Sequence, residues 1–364
     1  MTDKNSSKKL ADKLFPIKID IDETDILNIP PESRRLHTET YDFTVASIND
    51  FLLNGNIFIP EFQREYVWNR VQASRLIESL VIQCPIPVIY LNQERDEKLS
   101  VIDGNQRLQS IKLFLNDSYE LRGLTTYPEL EGLNYSSLDP RIKRHILNRT
   151  LRCIAILKDT HPQIKFEIFE RLNTGAVQLN PQEIRHGVYH GPLIDLIDTL
   201  AKEPVWKEIT GFKSDKRMRG NELILRFIAL YENLDNYQKP LSSFLNNFCE
   251  AQQKPSNDKI LEWKSIFLKT VKDIKSYLGK YAFRTFDDNG NLIKNINAAL
   301  FDAQMVGFSK FRPNLKNEVK DSIITDIKSL YVEERFKESI TAGTSTTSFV
   351  KYRIRRFKEF LEKY

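Results

Sequence analysis

The sequence predicts an α+β protein in which an α/β unit over residues 39–190 precedes an α-helical domain over residues 191–364, behind a mobile leader of residues 1–38. Three observations predict it. Short apolar runs of strand length alternate with helical stripes as far as residue 190, after which almost every periodic segment is helical. A chain of 364 residues exceeds what one hydrophobic core usually serves, so roughly two are expected. The opening residues are polar and charged, with Pro30-Pro31 near their end, as in a mobile leader.

Taken in order, Tyr41-Asp42-Phe43-Thr44-Val45 alternates as a strand does, and Ile57-Phe58-Ile59-Pro60 is a second short apolar run. Ala73, Leu76, Ile77, Leu80 and Val81 fall at the spacing of a core-facing helix, stopped by Pro85 and Pro87. Val88-Ile89-Tyr90-Leu91 and Leu99-Ser100-Val101-Ile102 then form a predicted hairpin across a charged loop, residues 92–98. Leu108, Ile111 and Leu115 mark the next helix, so the turn Asp103-Gly104-Asn105-Gln106-Arg107 lies where a strand gives way to a helix. Residues 151–157 predict a strand, and Ile164, Ile168, Phe169 and Leu172 one face of a helix ending near Asn173-Thr174-Gly175. Asn180 as N-cap, Pro181 at the first position and Glu183 three residues after the cap start another helix, which Gly191-Pro192 ends. Helices follow over residues 222–231 and 260–278, and a last one over 349–364 comes after a polar loop, 341–348.

The totals exclude several classes. Hydrophobic residues at 41% and charged residues at 28% are those of a folded protein rather than a disordered or fibrous one. No stretch approaches the roughly 18 apolar residues of a membrane span, and MTDKNSSKKL has no signal-peptide core, so the expected location is the cytoplasm, with no membrane partner. Cys84, Cys153 and Cys249 lie far apart and suggest neither a disulfide framework nor a cysteine zinc site. The net charge of +5 is mild and does not announce a nucleic-acid binder. All five histidines (His37, His145, His161, His186 and His190) precede residue 191, which makes the C-terminal half a poor place for imidazole-based nuclease or zinc chemistry.

The turn at Asp103 is the leading candidate site. A helix N-terminus presents unpaired N–H groups and partial positive charge to a phosphate, and Gly104 lets the backbone approach closely. Arg107 would supply a bidentate guanidinium, Gln106 would orient a water or a base edge, and Asp103 would hold Mg²⁺ bridging to the phosphates. The plainer alternative is that Asp103 and Gly104 turn the chain while Arg107 pairs with a nearby acid. Gln63 and Arg64 stand between apolar residues just before a helix, and Arg171-Leu172-Asn173-Thr174-Gly175 reads as a capped helix end. Arg185 and His186 read as solvated, and Lys351, Arg353, Arg355, Arg356, Lys358 and Lys363 as the solvated basic face of the terminal helix.

In combination these segments resemble a known family. Ile59-Pro60-x-Phe62-Gln63-Arg64-x-Tyr66-x-Trp68, Ile86-Pro87, Asp103-Gly104-x-Gln106-Arg107 and Phe169-Glu170-Arg171-Leu172-Asn173-Thr174-Gly175 look like the N-terminal domain of GmrSD-type, modification-dependent restriction enzymes, across roughly residues 40–190. Arg217-Met218-Arg219 and Glu222-Leu223-Ile224-Leu225-Arg226 look like the tail of its stand-alone members, without the HNH nuclease domain of the full enzymes. The resemblance implies a ParB/sulfiredoxin-like fold that binds and hydrolyses nucleoside triphosphate with Mg²⁺ through a DGQQR motif, as a sensor or regulator in phage defence. It assigns Asp103, Gln106 and Arg107 to catalysis, Asp103 also to the metal, and Gln63, Arg64, Gly104, Asn105, Arg171 and Asn173 to nucleotide and phosphate binding. Asn105 replaces the first glutamine of the motif; the shorter amide keeps donor and acceptor but loses reach. The alternatives are a ParB-like module that binds or nicks DNA, and an adaptor that recruits a separately encoded nuclease.

Overall fold

A computed structural model describes residues 34–60, 66–172, 179–212, 215, 217–287, 289–311 and 319–364, with the side chains of 319–321 excepted. Most of the leader (residues 1–33), and Gln63, Arg64 and Asn173, lie outside the described residues.

The chain runs β1 (Thr38–Thr44), α1 (Val45–Asn54), β2 (Ile57–Phe58), α2 (Arg70–Val81), β3 (Ile89–Gln93), β4 (Leu99–Asp103), α3 (Asn105–Leu115), α4 (Pro140–Leu147), β5 (Thr150–Ile156), α5 (Pro162–Leu172) and α6 (Pro181–Val188). Helices α7 (Pro192–Ala201), α8 (Pro204–Thr210), α9 (Arg219–Asn233), α10 (Leu241–Ala251), α11 (Asn257–Leu278), α12 (Ala298–Lys310), α13 (Val319–Val332), α14 (Glu334–Thr341) and α15 (Thr347–Leu361) follow. The result is a mixed α/β protein with a helical C-terminal region, as expected. Among the described residues no helix is long and apolar enough to cross a membrane.

One five-stranded sheet has the order β1-β5-β3-β4-β2. β3 and β4 form the predicted antiparallel hairpin, β3 runs parallel to β5, β2 parallel to β4, and β1 closes one edge antiparallel to β5. Val45, read from the sequence as the end of the first strand, instead begins α1, because the Thr44 side chain accepts a hydrogen bond from the Ser47 amide and so caps a helix there.

Because successive strand residues face opposite sides, the sheet divides two cores. Ile89 and Leu91 of β3, Val101 of β4, and Leu151, Cys153 and Ala155 of β5 join the core of α1 to α4. Tyr90, Ile102 and Ile156 join a larger core containing Phe166 and Phe169 of α5, Ile184 of α6 and the helices beyond. Helices α5 and α6 therefore pack with the C-terminal helices across the sheet.

The larger core is tied by a buried ionic centre. Asp302 on α12, fully buried, accepts from Arg226 of α9 through both oxygens (3.0 and 2.6 Å) and from Arg353 of α15 (2.7 Å). Burial works against both guanidinium charges. At Arg226 the two-bond pairing with Asp302 outweighs burial and the pKa is raised; at Arg353, which has one such bond, burial prevails and it is lowered. Arg353 thus departs from the predicted solvated face, and so does Arg356, which pairs with Glu333. Arg185 is likewise buried, held by Asn246 at 2.7 Å and Ser242 at 2.9 Å rather than solvated. The Asn180–Glu183 capping box forms as the sequence predicts.

On the other side of the sheet, buried Glu78 of α2 accepts the backbone amides of Thr125, Thr126 and Tyr127 at 3.0, 2.6 and 2.9 Å. Burial alone would raise its pKa, but these three N–H donors outweigh it and the pKa is lowered.

Two outcomes follow for stability. Asp302→Ala leaves two buried guanidinium groups facing each other and should cost about 3–5 kcal/mol in urea unfolding. A folded pKa below the ordinary 4.5 means that the Glu78 contribution is complete above that value and is lost as pH falls through the depressed pKa. Glu78→Gln should therefore lower neutral-pH stability by roughly 1.5–3 kcal/mol, the range for hydrogen bonds to a charged group, and thermal melts of the two proteins should converge as the pH is lowered below that window.

Candidate functional site

The turn after β4 is shaped by a glycine that no other residue could replace without strain. Gly104 has φ 105° and ψ 4° and is the N-cap of α3. A Cβ there would lie 3.0 Å from Ile89 Cγ1, inside the sheet. The chain therefore leaves the strand in a left-handed conformation, tight against β3, and enters a helix whose N-cap residue has no side chain to cap it.

Arg107, one turn into α3, folds back over this corner. Its Nη2 donates to Asp103 Oδ2 at 2.6 Å and its Nη1 to the carbonyl oxygens of Pro87 and of Val88, the latter at 3.2 Å. The side chain of Arg107 is only 12% exposed, whereas that of Asp103 is 38% exposed, so the carboxylate faces solvent while the guanidinium braces it from behind. Burial lowers the Arg107 pKa, with Asp103 opposing; guanidinium remains charged at any ordinary pH. This is the pairing of Arg107 with a nearby acid that the sequence offered as the alternative.

Gln106 points its amide oxygen at the backbone, accepting from the amides of Val67 at 2.8 Å and Trp68 at 3.2 Å. It thereby moors to the helix start the chain that leads out of residues 61–65. Tyr66 reinforces the mooring through its hydroxyl, 2.9 Å from Ser110 Oγ on α3. Asn105 accepts from Gln109 Nε2 at 2.6 Å along the same helix.

Thus Asp103, Gly104, Asn105, Gln106 and Arg107 form one corner, with the stretch following Gln63 and Arg64 attached to it. Arg171 is not joined to it by any ion pair: it ends α5 with its side chain 73% exposed, bonded to Glu167 at 3.1 Å. Its helix is nevertheless on the adjoining sheet face, since Phe166 and Phe169 share a core with Ile102, the residue before Asp103. Among the described residues no group of three or more His, Cys, Asp or Glu could hold a metal.

A basic cluster escaped the motif-based reading altogether. Arg141, Arg144, His145 and Arg149 line one pocket at the end of α4. A sliding count of charge would have found it, because the whole-chain balance of +5 hides it.

Gly104→Ala should lower stability by about 1–3 kcal/mol, the cost of a non-glycine residue in the left-handed region, measured by urea unfolding. An unchanged midpoint would remove the backbone requirement at this corner.

Residues 48–190 match the model of a family described as GmrSD restriction endonuclease, N-terminal domain. No curated protein and no solved structure matches the chain. The matched span opens within α1, contains the corner at Asp103 to Arg107 and closes just after α6. Over residues 48–190 the chain is therefore similar to the GmrSD restriction endonuclease N-terminal domain family.

Proposed function

We propose that the chain is a nucleotide-binding regulator in phage-defence restriction, with the corner at Asp103 to Arg107 as its nucleotide site. The family match supports the restriction role. In this reading residues 39–190 are a ParB/sulfiredoxin-like nucleotide domain and residues 191–364 a helical domain that responds to it.

The observation that carries the reading is the start of α3 directly behind an exposed strand-end carboxylate. The N-cap of this eleven-residue helix is Gly104, buried in a left-handed turn and with no side chain of its own to occupy the helix end. Such a terminus suits a phosphate group. Asp103 belongs to no group of three or more His, Cys, Asp or Glu among the described residues. That donor set does not make an all-protein metal cage, but it fits Mg²⁺, which keeps most of its waters and takes one or two carboxylates together with substrate phosphates.

Each residue then has a separate task. Asp103 would hold Mg²⁺, and bound Mg²⁺ would neutralise phosphate charge. Arg107 holds the Asp103 carboxylate in place and supplies positive charge behind the phosphates. Gln106 keeps the 66–68 segment against the helix, and Gln63 and Arg64, which precede that segment in the chain, would bind the phosphates. Arg171 and Asn173 would close the site from the end of α5. Asn105, already engaged with Gln109, is a shorter amide than glutamine, so binding is favoured over turnover and the protein acts as a switch more than as a fast triphosphatase.

Thermal melts with ATP and GTP, with and without Mg²⁺, test this. Nucleotide with Mg²⁺ should raise Tm. Asp103→Asn, which retains a hydrogen-bond acceptor for Arg107, should weaken Mg²⁺-nucleotide binding at least tenfold while leaving the unliganded Tm near that of the wild type. Arg107→Ala should abolish nucleotide-induced stabilisation, and Asn105→Gln should increase phosphate release. A Tm unmoved by any nucleoside triphosphate, together with no phosphate release, would overturn the proposal.

A further inference from the structure

The charge of this protein is concentrated in one short segment. Residues 139–158 contain six Lys or Arg against one Asp, a balance of +5 that equals the net charge of the entire chain. Three of these cations are neutralised locally: Arg141 by Asp139 at 3.0 Å, Arg152 by Asp42 at 2.9 Å, and Lys158 by Glu97. Lys143 donates to the Ser136 carbonyl at 2.7 Å. Arg144 and Arg149 form no ion pair among the described residues.

These two arginines line a pocket of about 360 Å³ whose other walls are Gln83, Arg141, His145 and Asn148, with no carboxylate among them. The Arg149 Nε is shielded from solvent and has no acceptor among the described residues. Two guanidinium groups side by side in a pocket without a carboxylate fit an anion. Complementing the helix dipole explains them less well. Arg144 and His145 lie in the last turn of α4, where cations are favoured, but Arg149 lies beyond the helix and gains little from it.

The pocket does not end there. Arg141 and His145 are shared with an adjoining chamber of about 580 Å³ that is mainly apolar and includes Tyr127. Tyr127 is 40% exposed, and its backbone amide donates to the Glu78 carboxylate at 2.9 Å. His145 Nε2 bonds the Val81 carbonyl at 3.0 Å, which joins α4 to the end of α2 and sets the wall between the chambers.

We propose that this double chamber binds one nucleotide step of a single nucleic acid strand, with the phosphodiester on Arg144 and Arg149 and the base against Tyr127. Guanidinium forks match phosphate oxygens, and an exposed, rigidly held aromatic ring offers a stacking face to any base. A mononucleoside triphosphate suits the place less well. Both α2 and α4 bring their carboxyl-terminal ends to it, and those dipoles oppose a concentrated anion far more than a diester bearing one charge per residue. A base held in the stack of a duplex could not enter the apolar chamber. This site is separate from the corner at Asp103 and does not rest on the nucleotide proposal.

Fluorescence anisotropy of the full chain with labelled single-stranded DNA, with RNA of the same sequence and with the duplex, across salt concentrations, tests it. Single strands should bind more tightly than duplex, and DNA against RNA identifies the source of the strand. Arg144→Ala and Arg149→Ala should each weaken binding roughly tenfold and reduce the salt slope by about one, and Arg144→Lys should restore part of the affinity. Tyr127→Ala should weaken strand binding about tenfold with the salt slope unchanged. Unliganded melting temperatures of the variants establish that they fold. No binding at low salt, wild-type affinity in the Arg144→Ala/Arg149→Ala double variant, indifference of strand binding to Tyr127→Ala, or displacement by ATP at equal affinity would each overturn the proposal. The double variant should retain any nucleotide-induced rise in Tm, and Asp103→Asn should retain strand binding, so that either proposal can fail without the other.

Discussion

The fold of the N-terminal half turns on the return of Arg107 onto Asp103 and the carbonyls of Pro87 and Val88. This one side chain fastens the end of β4, the first turn of α3 and the approach to β3 at a single corner. It can do so only because residue 104 is a glycine: a Cβ there would lie 3.0 Å from Ile89 Cγ1. A guanidinium suits the task better than an ammonium would: its fork bonds a carboxylate with one arm and two carbonyls with the other, at fixed angles. The same geometry that makes the corner rigid leaves the opposite side of Asp103 facing outward.

The sheet then acts as a partition. Alternate residues of β3, β4 and β5 serve different cores, so a change on one face leaves the packing of the other largely untouched. Val101 and Ile102, adjacent in sequence, are anchored on opposite sides. Asp103 follows directly, and its position is consequently fixed from both directions. Across the partition the Arg226–Asp302–Arg353 centre gathers three helices from distant parts of the chain, and its one carboxylate serves two guanidinium groups because Oδ2 accepts from both while Oδ1 accepts from Arg226.

The two proposed sites use opposite ends of helices. The Asp103 corner sits at the amino end of α3, where the helix dipole favours an anion, whereas the Arg144 and Arg149 pocket sits at carboxyl ends, where side chains must supply all the positive charge. A compact, highly charged ligand fits the first and an extended, singly charged repeat fits the second. A regulator of restriction with both would have separate surfaces for a nucleotide and for a strand.

Local chemistry in the sequence determined the elements. Hydrophobic periodicity placed α2, α3 and the β3–β4 hairpin, the Asn180-Pro181-x-Glu183 pattern placed α6, and Gly104 between strand and helix marked the turn, because each of these depends on neighbours within a few residues. Tertiary structure alone decided which charges are buried. Arg353 and Arg185 read as solvated on their own helices, yet their partners lie far away in sequence, at Asp302 and Asn246. It also decided that the sheet has two buried faces, and that the pocket of Arg144 and Arg149 adjoins the chamber of Tyr127 through Arg141 and His145. Those outcomes depend on which distant surfaces are brought together, and a pattern of local periodicities carries no record of that.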